Sequence, residues 1–101
     1  MTETPPGMPQ SRAVVTTPKA SRYLQQFCKH FSHKLPVTFD KAAGHVPFEG
    51  GDCDLAADGD QLTLTLTVAD AQRMVQLQDV VARHLQRFAF REELAVEWHA
   101  I

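Results

Sequence analysis

The hydrophobic period changes twice along this chain, and that change limits the folds open to it. From about Thr17 to His33 the apolar residues fall at Ala20, Tyr23, Leu24, Phe27, Cys28 and Phe31, the i, i+3, i+4, i+7 spacing of one helix face. From Leu62 to Val68 the period is two: Leu62, Leu64, Leu66 and Val68 alternate with Thr63, Thr65 and Thr67, as in a strand with one buried face. From about Asp70 to Arg87 the helical spacing returns through Met74, Leu77, Val81 and Leu85, with Val80 beside them and Phe88 just beyond. Thr17 is suited to cap the first helix and Pro18 to occupy its first position. Asp70 is suited to cap the second. Pro36 stops the first, because the residue before a proline avoids helical dihedrals.

Shorter alternations fill the gap between the helices. Val37 with Phe39, and Val46 with Phe48, predict two strands around a turn near Lys41 to Gly44. Gly50-Gly51 breaks the chain again, Cys53 and Leu55 open a third strand, and Asp58-Gly59 supplies a hairpin turn into the fourth. Leu94, Val96 and Trp98 predict a last strand. The order α-β-β-β-β-α-β predicts an α+β domain, with two helices on one face of a mostly antiparallel four- to five-stranded sheet. Thr63, Thr65, Thr67, Asp54, Glu97 and His99 are expected on the wetter face. Residues 1–16, rich in Pro, Thr and Ser, predict a disordered tail. Residues 17–101 then form a single domain, large enough to bury one core without staples.

Composition removes several function classes. Net charge is −2 with histidines neutral, so there is no broad basic field to hold a nucleic acid or an anionic membrane. The first residues carry Glu3, Pro5, Pro6 and Pro9 but no apolar run, unlike a signal peptide. No segment approaches the length of a membrane-spanning helix. The two cysteines, Cys28 and Cys53, do not form a CxxC pair. A cytoplasmic protein with reduced thiols is expected.

The segment Cys28-Lys29-His30-Phe31-Ser32-His33-Lys34 is the first candidate site. At about 100° per residue, Cys28 and His30 diverge by roughly 160° around the helix, whereas His30 and His33 lie about 60° apart. Two histidines at i, i+3 chelate a metal weakly unless another element adds a ligand; His84 and His45 are the available imidazoles. A zinc or iron site using His30, His33 and His84 stands against a plainer reading, in which Lys29, Lys34 and the histidines complement a helix C-terminus. His84 lies about 20° from Leu77 on the second helix, the place of a hydrogen-bonded core histidine. Arg83, Arg87 and Arg91 mark one flank of that helix and its end. With Lys29 and Lys34 they compose an anion site or a solvated face. Cys28 and Cys53 read as buried hydrophobes rather than nucleophiles. Asp52, Asp54, Asp58 and Asp60 lack the spacing of a calcium loop. No phosphate-binding glycine loop, nucleophile elbow or catalytic carboxylate pair is present.

Several of these segments resemble the bacterial "domain of unknown function 2218" family: Ser21-Arg22-Tyr23-Leu24, the run Lys29 to Lys34, Cys53-x-Leu55, Asp79-Val80-Val81, and Arg83-His84-Leu85 with Arg87 to Glu92. The resemblance spans about Thr17 to His99 and implies a small α+β domain without a known activity or catalytic residues. It also implies, by association, a link to flavin-dependent siderophore-interacting proteins, which handle ferric chelates.

Three readings follow. The first is a non-enzymatic accessory domain that binds an anionic ligand, such as a ferric siderophore, or a partner such as the siderophore-interacting flavoprotein, through Lys29, His30, His33, Lys34, Arg83, His84 and Arg87. The second is a metal-binding protein built on the histidines. The third is an oligomerisation module using an open sheet face or the edge near Trp98.

Overall fold

In the computed structural model, which describes residues 8–101, the chain runs β1 (Gln10–Thr16), α1 (Ala20–Phe31), β2 (Thr38–Phe39), β3 (Ala43–Phe48), β4 (Gly51–Asp58), β5 (Gln61–Val68), α2 (Ala71–Phe88) and β6 (His99–Ala100). The strands form one six-stranded sheet in the order β2-β3-β4-β5-β1-β6. All neighbouring pairs are antiparallel. The α+β class and the two helices are those expected from the changes of period.

The expected tail is corrected by the structure. Residues 10–16 form β1, which lies inside the sheet between β5 and β6, in register from Gln10 opposite Thr67 to Thr16 opposite Gln61. Its inward residues are Ser11, Ala13 and Val15, exposed by 2%, 0% and 1%. Two of the three are too small or too polar to register as an apolar alternation. Ser11 is accommodated because its hydroxyl bonds the Met74 sulfur and accepts from the Gln78 side chain. The expectation of disorder for residues 1–7 lies outside the described residues.

Both ends of the helical domain also differ in detail. Helix α1 begins at Ala20 without a side-chain cap. Thr17 is buried instead: its N–H donates to the Asp60 carbonyl, and its hydroxyl accepts from the Lys19 N–H and bonds Glu92. Asp70 does cap α2, accepting from the Arg73 N–H at 2.8 Å. Leu94, Val96 and Trp98 are not a strand. They lie in an irregular segment whose side chains pack against the core, and the final ladder is His99 opposite Arg12 and Ala100 opposite Ser11.

The core fills the space between the helices and one sheet face. Leu62, Leu64, Leu66 and Val68 of β5 meet Leu24 and Phe27 of α1 and Val81 and Leu85 of α2, all fully buried. Each such side chain contributes about 1.5–3 kcal/mol by leaving water. α1 sits over β3 and β4, while α2 sits over β5. A glycine sets how closely α1 approaches: a Cβ at Gly44 on β3 would lie 2.5 Å from the Cys28 Sγ. Gly59, with φ of 57°, forms the β4–β5 turn, the left-handed conformation such a hairpin needs. On the opposite sheet face Thr63, Thr65 and Thr67 are half-buried and Asp54 is exposed.

Candidate functional site: a histidine notch between the helices

The two helices run antiparallel: the C-terminal end of α1 lies beside His84, about one turn before the end of α2, and the start of α1 lies beside Phe88 and the segment after it. Where α1 stops at Phe31, a cavity of about 360 Å³ opens, lined by His30, Phe31, His33, Lys34 and His84. Phe31 is its aromatic floor. The ring sits 4.9 Å from Phe48, 5.0 Å from His84 and 4.9 Å from His30, measured between centroids. His30 and His84 approach each other at 5.3 Å, and the Phe88 ring lies 5.5 Å from His30.

His84 is half-buried at the rim of this cavity, which corrects the expectation of a core histidine. Its Nδ1 lies 2.7 Å from the Val80 carbonyl oxygen. A carbonyl only accepts, so this contact assigns the Nδ1 proton and leaves Nε2 for a ligand. The helix wheel placed His84 in the apolar stripe, but α1 ends before covering it.

The charges around His30 all have one sign. Its pKa lies below the ordinary imidazole value, first because the site desolvates the charged form, then because His84, His33, Arg87 and Lys34 repel it. No carboxylate contributes. A bound anion would reverse the balance by favouring the imidazolium.

The other expected members separate. Arg87 does not line the notch but acts on His30 through its charge. Arg83 is paired with Asp79 at 2.9 Å along the exposed side of α2. Lys29 lines a different cavity with Ser21, Gln25 and Phe39. His45 is on the far sheet face, its Nδ1 2.7 Å from Asp54 and its Nε2 3.6 Å from Asp52, so it adds nothing to the notch. Phe31 and Phe88 were read from sequence as stripe residues. The role of Phe31 as a notch wall, and the contact of Phe88 with His30, have no signal beyond their position at the ends of the two stripes.

Among the described residues no group of three or more His, Cys, Asp or Glu side chains is placed to hold a metal ion. His30, His33 and His84 do not form such a group. Both cysteines are free and buried. Burial pushes the Cys28 thiol up to about 11 and raises Cys53 further. Neither supplies a thiolate nucleophile near neutral pH.

The model of the family described as "Uncharacterized protein conserved in bacteria (DUF2218)" matches residues 12–99. The chain belongs to this family. The matched region takes in most of β1 as well as both helices and the notch. The fold is similar to that of PA4090 from Pseudomonas aeruginosa, solved by NMR, with 36% identity and a TM-score of 0.78 over 91% of this chain and 96% of the other. No curated protein matches the chain. Among the described residues, no helix is long and apolar enough to cross a membrane.

Proposed function

We propose that this chain is a non-enzymatic accessory domain that binds a small anionic ligand in the notch between α1 and α2. One observation carries the reading: His30, His33, Lys34 and His84 line a single cavity from two separate segments, with Arg87 close enough to act on His30 and no carboxylate in opposition. Such a site favours an anion through charge-assisted hydrogen bonds, while the Phe31 ring offers apolar contact. A ferric siderophore, presented alone or by a siderophore-interacting flavoprotein, fits that chemistry. The association with such proteins that the sequence resemblance implies motivates the choice. The free, buried thiols suit a reducing compartment such as the cytoplasm.

The test is an NMR titration of amide and imidazole signals with citrate, a ferric siderophore and its diamagnetic gallium analogue. Saturable shifts at His30, His33 and His84 are expected, together with a rise in the His30 midpoint. Substituting His30 and Lys34 together by alanine is expected to weaken binding about tenfold or more, since each charged hydrogen bond contributes about 1.5–3 kcal/mol. An absence of saturable shifts at these residues with all three ligands would refute the reading.

A further inference from the structure

At the other end of the interhelical groove lies a second cleft, about 400 Å³ in volume, that uses none of the histidines. Lys19, Arg22, Tyr23 and Gln26 line it from the α1 side, and Phe88, Phe90 and Arg91 from the end of α2 and the segment after it. Among the described residues, neither Arg22 nor Arg91 forms an ion pair with a carboxylate. Glu92, next in sequence, is bonded to Tyr23, a residue of the cleft wall, and not to either guanidinium. Its two carboxylate oxygens accept from the Thr17 and Tyr23 hydroxyls, and of the three cations only Lys19 acts on it. Among the described residues, the two guanidinium groups that line the cleft are therefore not ion-paired.

The apolar part of the cleft is equally unusual. Phe90 is 77% exposed, and the Arg91 guanidinium carbon lies 5.5 Å from its ring centroid. A guanidinium over an aromatic face keeps its N–H edge free for a bidentate acceptor. Phe88 adds a half-buried ring behind it. The cleft thus presents planar donors beside flat apolar surface.

We propose that this cleft binds an anionic group carried on a flat apolar ring, an aryl carboxylate or an aryl phosphate. The anion is held by Arg22 and Arg91, with Lys19 adding charge, and the ring lies against Phe90 and Phe88. The proposal is independent of the histidine notch, although the sites adjoin through Phe88.

The experiment is an amide NMR titration of the full chain with benzoate, phenyl phosphate and inorganic phosphate. Saturable shifts are expected over residues 19–26 and 88–91 with benzoate, phenyl phosphate or both, and the tighter of the two names the anion. Arg22→Ala with Arg91→Ala is expected to weaken the preferred ligand at least tenfold. Phe90→Ala is expected to weaken it severalfold. All three side chains are exposed, so these variants retain the fold, which the unchanged spectrum elsewhere checks. His30→Ala is expected to leave this binding intact, so the two sites succeed or fail separately. Three results would each overturn the proposal: shifts that do not saturate with either aryl ligand, binding unaffected by the double arginine substitution, or inorganic phosphate binding as tightly as the preferred aryl ligand.

Discussion

Gly44→Ala tests the contact that sets the height of α1 above the sheet. The added methyl carbon would fall 2.5 Å from the Cys28 Sγ and 3.3 Å from the Phe39 Cβ. Ordinary carbon contacts are about 3.5–4.0 Å, so the sulfur or the helix carrying it must retreat by about 1 Å. Cys28 is fully buried among core side chains, which leaves little room for rotation. Overpacking of this kind costs about 1–3 kcal/mol. The restricted unfolded state of alanine returns about 0.4–1 kcal/mol, so a net loss of about 1–2 kcal/mol is expected. Cys28→Ala alone removes a buried atom and costs on the order of 1 kcal/mol. In the double variant the new methyl occupies space the sulfur has left, so the two losses do not add. A coupling of about 1–2 kcal/mol in favour of the pair is expected. Urea unfolding followed by helical circular dichroism and by the fluorescence of Trp98 measures all three variants, with the single Gly44 variant unfolding about 0.5–1 M earlier. A neutral Gly44→Ala, or strictly additive losses, would refute the close approach and with it the stated position of α1 and its histidines.

Four other outcomes are expected. By imidazole NMR, His30 titrates below the ordinary value of 6.5, and His84→Gln raises its midpoint by removing the largest charge acting on it; an unchanged midpoint would sink the like-charge account. Because the folded His30 resists protonation, its effect on stability is neutral above about the unfolded value of 6.5 and becomes a loss as pH falls from there through the folded value. Glu92 behaves similarly at lower pH: its pKa is depressed chiefly by the Tyr23 hydroxyl, so it stabilises the fold above the ordinary carboxyl value and the contribution disappears as pH falls through the folded one. Tyr23→Phe should therefore shift acid unfolding to higher pH, and an unchanged acid transition counts against the contact. Deleting residues 1–16 should abolish cooperative thermal unfolding, because it removes β1 and uncovers one side of β5; a cooperative melt would show β1 to be dispensable. Cys28 and Cys53 should resist a thiol reagent in the native protein and react on unfolding, since both are fully buried; rapid native reaction would contradict that burial.

What the sequence determined by itself was local. The 3.6 and 2.0 periods identified α1, α2 and β5 because each of these elements buries one regular face of large apolar side chains. Asp70 and Asp58-Gly59 marked a cap and a hairpin because those jobs depend on a few adjacent atoms. His30 and His33 were placed near one another for the same reason, being less than one helical turn apart. Tertiary structure decided the rest. β1 is a strand because β5 and β6 supply its hydrogen-bond partners, not because Ser11 and Ala13 demand burial. Trp98 packs on the core from an irregular segment, while the ladder itself is formed by His99 and Ala100. The notch exists because α1 ends at Phe31 while α2 continues past it, bringing His84 to within 5.3 Å of His30 across a gap of more than fifty residues in the chain. The same packing sends Lys29 and Arg83 to other surfaces. A helix wheel gives the angle of a side chain about its own axis, but the element that angle faces is settled only by how the helices lie on the sheet.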